Sequence, residues 1–158
     1  MTARKTIACA FAGLVAAAAA AGCGGGKQQV SATELVQKGD AICRDEQSKF
    51  NEVQTQPPAN ASDATDQTKE LVSAAEDAND NLDDLEPPAS LQSRYSAYLD
   101  ARDRATDQIQ KGQDAAENQD SVAYGAAQSA VAQTAPQRSN LAGALGFKVC
   151  SSGGGAAL

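Results

Sequence analysis

Beyond residue 22 this chain has little from which to build a core. Leu, Ile, Val and Phe fill 20 of the 136 positions from 23 to 158, about 15%, a share at which chains commonly stay disordered. Against disorder stand 24 alanines in the same stretch, the best helix formers, and a pattern that places the few large apolar residues at helical spacing. An Ala-rich helical bundle held by a long-range covalent link reconciles the two.

The N-terminus has to be read before that link can be found. Arg4 and Lys5 precede Thr6 to Ala21, an unbroken run of 16 apolar and small residues, and Gly22-Cys23-Gly24-Gly25-Gly26 follows. The run is shorter than the roughly 20 residues that a spanning helix needs, and basic-then-apolar order marks an export signal. Ala20-Ala21-Gly22-Cys23 resembles a bacterial lipobox, with Ala at the position where Leu is commonest. On that reading residues 1–22 are a lipoprotein signal peptide, Cys23 carries the lipid, and residues 23–30 form a Gly-rich tether. The other reading is a plain secretory signal cut near Ala21, which leaves Cys23 as a free thiol.

Cys9 leaves with the signal and Cys23 takes the lipid, so Cys43 and Cys150 remain in an oxidising exported compartment. A disulfide between them is the economical expectation. A catalytic or metal-binding pair would call for CxxC spacing, a His or a basic cluster around both thiols, and the sequence offers none of these.

Four helices are expected within residues 31–150. Ser31-Ala32-Thr33-Glu34 is a capping box that starts the first, from about 32 to 55, with Leu35, Val36, Ile42, Cys43, Phe50 and Val53 as its apolar stripe. Pro57-Pro58 breaks it. Ser62 or Asp63 caps the second, which runs to about Leu85 before Pro87-Pro88. Ser90 leads into the third, striped by Leu91, Tyr95, Tyr98, Leu99, Ala105 and Ile109. Asp120 or Ser121 caps the fourth, carrying Val122, Ala126, Ala130, Val131, Leu141 and Leu145, interrupted at Pro136 by a kink or a fresh start and stopped by Gly146. Short connections favour antiparallel neighbours. The expected fold is therefore all-α: an antiparallel four-helix bundle, up-down-up-down, closed by Cys43 and Cys150. Phe147 and Val149 would plug one end, and residues 151–158 form a patternless tail.

The lipobox, the Ala-rich helices, the Leu85-Glu86-Pro87-Pro88-Ala89 break and the closing Leu141-Ala142-Gly143-Ala144-Leu145-Gly146-Phe147-Lys148-Val149-Cys150 resemble small uncharacterised lipoproteins of high-GC bacteria. The resemblance covers most of the chain after the signal. It implies a helical exported domain and brings no catalytic residues.

Composition narrows the function. There is no His, which removes Ser-His-Asp and Cys-His catalysis and His-ligated metals. The formal charge of -7, which deepens to -9 once Arg4 and Lys5 are gone, argues against nucleic acid as a partner. Acids scattered over exposed helix faces lack the desolvation that tunes catalytic carboxyls, so no enzyme and no cofactor are expected. Glu76, Asp77, Asp80, Asp83, Asp84 and Glu86 oppose the dipole at the end of the second helix. Asp77, Asp80, Asp83 and Asp84 are weak candidates for a divalent cation, although Leu82 stands where an EF-hand needs Gly. The plainer reading is a solvated face neutralised in part by Arg94. Tyr95 and Tyr98 read as core, Arg102 and Arg104 as solvated positions, and the Asn60-Ala61-Ser62 sequon as incidental.

What is expected, then, is an exported protein anchored to the outer face of the cell membrane through Cys23, working by protein contacts or as an envelope component. A binder of a small ligand or divalent cation is the alternative.

Overall fold

A computed structural model describes residues 27–152. The expected signal peptide over residues 1–22, Cys23 and residues 153–158 lie outside the described residues. In chain order the elements are β1 (Gln28–Gln29), α1 (Ala32–Gln54), α2 (Ala61–Asp83), β2 (Leu85–Glu86), α3 (Gln92–Glu117), α4 (Ser121–Leu145) and α5 (Val149–Ser152). Among the described residues the fold is all-α apart from one two-residue parallel pairing of β1 with β2.

The starts and stops of the helices follow side-chain chemistry. Ser31 and Glu34 form the expected reciprocal capping box, and the hydrogen bond from the Ser31 backbone amide, then that with its side chain, hold the Glu34 carboxyl below its usual range. Asn60, and neither Ser62 nor Asp63, caps α2: its Oδ1 accepts from the Asp63 amide, while Asp63 accepts from Asn60 Nδ2 and from the Ala59 amide. The α3 start has no side-chain cap, since Leu91 occupies that position instead of Ser90. Asp120 caps α4 by accepting from Val122 and Ala123. Gly146 ends α4 with φ of 91°, a left-handed conformation that glycine adopts without a Cβ penalty.

Pro136 neither splits α4 nor stops it. Proline removes one amide donor from the helix interior. A hydroxyl works on the same turn, with Thr134 Oγ1 donating to the Val131 carbonyl at 2.8 Å.

Helices adjacent in sequence pack together, α1 on α2, α2 on α3 and α3 on α4, and α5 lies against both α4 and α1. Alanines make this packing close: Ala74, Ala75, Ala78, Ala101, Ala105, Ala115 and Ala116 are all buried. The large apolar residues gather in two clusters. One holds Leu35, Leu82, Tyr95, Tyr98, Leu145 and Phe147 around the Cys43–Cys150 disulfide, which spans 107 positions. The other holds Phe50, Leu71, Val72, Ile109 and Val131.

Three further expectations change. A tether free up to residue 30 is not what the structure has: Gln28 already pairs with Leu85 and Val30 is buried, because an otherwise open backbone edge after α2 takes a partner. Residues 151 and 152 do not belong to a patternless tail: α5 runs to Ser152, with the Ser151 and Ser152 hydroxyls donating to carbonyls one turn back. In α4 the stripe is displaced: Val122 is 82% exposed, Ala126 is exposed, and Ala127 is the buried residue. Alanine is weakly patterned enough to leave the phase of that helix undetermined.

Candidate functional site

Between the two apolar clusters lies a layer of polar side chains drawn from all four long helices. Arg102 on α3 is 8% exposed, and its Nη2 donates to Glu46 Oε1 on α1 at 2.8 Å. Its Nε donates to Asn79 Oδ1 on α2 at 2.7 Å, and its Nη1 to the Tyr98 hydroxyl at 3.4 Å. The Tyr98 hydroxyl lies 3.6 Å from Cys43 Sγ, and because a disulfide sulfur carries no hydrogen, the hydroxyl is the donor. Asn79 Nδ2 donates onward to Thr106 Oγ1 at 3.1 Å and to Asp103 at 3.0 Å. On α4, Arg138 is 6% exposed, and its Nη1 donates to Thr134 Oγ1 at 2.8 Å.

The electrostatics follow from burial. Burial alone would lower the Arg102 pKa, but Glu46 and then Tyr98 more than offset it, and the net direction is upward. Burial lowers that of Arg138, and the neighbouring Arg102 charge adds to the effect. Burial also pushes Tyr98 up, with Arg102 opposing. Among the described residues no buried side-chain nitrogen or oxygen lacks a hydrogen-bond partner, so the layer is internally satisfied. It encloses a cavity of about 20 Å³ lined by Glu46, Arg102, Thr106 and Arg138 with apolar neighbours. That is room for about one water and for no metabolite.

Arg102 overturns its assignment as a solvated position. Asp100, Asp103 and Asp107 beside it suggest a charged surface, yet Arg102 lies in the buried row of α3 that runs Tyr95, Tyr98, Ala101, Arg102, Ala105, Thr106 and Ile109. Glu46, to which the sequence reading gave no role, falls between Cys43 and Phe50 on the buried face of α1. The available signal was a pair of opposite charges, each in phase with the apolar stripe of its own helix.

The second constellation is the clasp. Cys43 and Cys150 are joined as expected, with Cα atoms 5.3 Å apart. Phe147 is 1% exposed and packs its ring at 5.5 Å from that of Tyr98 and 6.5 Å from that of Tyr95. The Tyr95 hydroxyl donates to the Leu82 carbonyl at 2.6 Å, and burial raises the pKa of that tyrosine. Both tyrosines are core, as their spacing suggested. Tyr124 is elsewhere, lining open clefts with Pro57 and Pro58 on one side and with Ala61, Ala64, Ala115 and Ala116 on the other.

The acidic end of α2 remains a charged surface. Asp77 pairs with Lys49 at 3.0 Å and Asp83 with Lys27 at 2.8 Å, so the bases that reach it are these two and not Arg94. Asp80 and Asp84 are exposed at the helix terminus. Among the described residues no three His, Cys, Asp or Glu side chains are grouped to hold a metal ion. Within the same residues no helix is long and apolar enough to cross a membrane. Set against protein-family models, curated proteins and solved structures, the chain matches none of them significantly.

Proposed function

We propose that this chain is an exported lipoprotein, held at the outer face of the cell membrane by a lipid on Cys23, whose helical domain serves without catalysis as an interaction or structural module of the cell envelope. The observation that carries the non-catalytic half is the inward use of the polar groups. Where a ligand-binding protein aims buried, convergent donors and acceptors into its cleft, this one spends its buried polar groups on each other around about 20 Å³, and its larger clefts, of about 300 and 350 Å³, are open surface grooves edged by residues such as Gln56, Pro57, Lys49 and Glu70. Support for export comes from the Cys43–Cys150 disulfide, a bond that persists in oxidising compartments, and from a Cys placed directly after the apolar leader.

The finer architecture belongs to the same proposal. Short connections and packing between sequence neighbours support an up-down-up-down, antiparallel order of α1 to α4, with α5 folded back between the last helix and the first. An acidic body without a polybasic patch then projects away from anionic headgroups on its tether.

Cell fractionation tests the anchor. The wild-type protein is expected with the membranes after a high-salt wash and in solution only after detergent, whereas Cys23→Ala is expected in the soluble exported fraction. Wild-type protein released by salt alone contradicts the lipid anchor.

A further inference from the structure

Asp40 sits one turn of α1 before Cys43, is 9% exposed, and spends its carboxylate on a segment more than a hundred residues away. Its Oδ1 and Oδ2 each accept from the Lys148 amide at 2.9 Å, and Oδ1 accepts also from Val149 at 2.8 Å and from Cys150 at 3.4 Å. These three amides are the three residues that end in the disulfide cysteine. Beside Asp40, Gly39 makes room for the ring of Phe147: a Cβ at that position would stand 2.6 Å from Phe147 Cε1. Neither contact runs through sulfur. The segment from Phe147 to Cys150 therefore has a seat on α1 made of a desolvated carboxylate and a side-chain-free hollow, and that seat sets Cys150 against Cys43.

We propose that Asp40 is a positioning residue for disulfide formation: it docks Phe147 to Cys150 on the reduced bundle, so that the two thiols meet before any bond joins them and the clasp closes without refolding the helices. The co-reactant is a disulfide oxidant. The thiolate of one cysteine attacks the oxidant's disulfide, the oxidant's first sulfur leaves as a thiol, and the second cysteine thiolate displaces the other oxidant sulfur as Sγ–Sγ forms. The two cysteines lose two protons and two electrons, and the oxidant ends as two thiols. Docking acts by raising the effective concentration of one thiol at the other. The inference stands apart from lipidation, because a plain secreted form would meet the same chemistry.

Two measurements on the full chain test it. In a glutathione redox buffer, Asp40→Ala is expected to lower the effective concentration of the Cys43–Cys150 pair by about tenfold or more, the scale of one lost charge-assisted hydrogen bond. Asp40→Asn, which keeps an acceptor and loses the charge, falls between. A residue that only stabilised the bundle would shift melting and leave this equilibrium unchanged, and an unchanged value overturns the proposal. In the Cys43→Ser, Cys150→Ser double variant, with Asp40 intact, the amides at 148 to 150 are expected to remain protected from hydrogen exchange. Exchange at the rate of a free peptide overturns the proposal, and so does a reduced chain that is unfolded throughout, since docking could not then precede the bond.

Discussion

At the scale of single residues, the molecule is defined by a charge pair where its apolar stripes cross. Glu46 and Arg102 are 6% and 9% exposed at their side chains, and Asn79, Tyr98 and Thr106 complete a network around them. Such a pair adds little net stability over an apolar pair of the same shape, but breaking it strands a buried charge. Glu46→Gln or Arg102→Met is therefore expected to lower unfolding stability in urea by about 3–5 kcal/mol, and Glu46→Leu with Arg102→Met together to recover most of the loss. A joint loss equal to the sum of the two single losses would show that the pair is not coupled. Tyr95 and Tyr98 were legible because aromatic rings at helical spacing bury themselves whatever their neighbours. Arg102 was not, because its near neighbours in sequence are acids and its partner lies 56 positions away on another helix.

At the scale of elements, legibility tracked the strength of the local signal. Proline pairs, the capping box and Gly146 each act within one or two turns, so the bounds of α1 and the end of α4 could be read closely. The α2 cap is Asn60 where the sequence pointed to Ser62 or Asp63, since all three side chains are capable acceptors and the choice depends on where the loop from Pro58 enters. The α4 face was misplaced because alanines on every side give no phase, so that Val122 sits in solvent while Ala127 is buried. Asp120, whose Oδ1 accepts from two first-turn amides, is the anchor of that helix start. Its replacement by Ala is expected to cost about 1 kcal/mol in thermal unfolding, with Asp120→Ser close to wild type. A loss no larger than that of an exposed mid-helix site such as Ser129 would contradict the capping role.

At the scale of the whole molecule, a chain poor in large apolar residues holds together by joining its ends. The closed loop spans 107 positions, and chain-entropy reasoning assigns about 4–5 kcal/mol to a loop of that order. The clasp also organises space: α5 packs between α4 and α1, and the β1–β2 pairing ties Gln28 to the turn after α2, which collects the N-terminal entry and the C-terminal segment near the disulfide cluster. The N-terminal entry at Gln28 is thus fixed to the covalently closed part of the domain, which suits the proposed suspension of that domain from a lipid. The β1–β2 contact was invisible in sequence, because two-residue pairings carry no periodicity and Gly-rich surroundings suggest a free linker.

The proposed role rests on the processing of Cys23, and intact-mass measurement of the protein extracted from membranes addresses it directly. The account predicts a chain beginning at Cys23, heavier than its sequence by a diacylglyceryl group with or without a further acyl chain, and with no free thiol after Cys43 and Cys150 pair. A mature chain whose Cys23 is present and unmodified would contradict it.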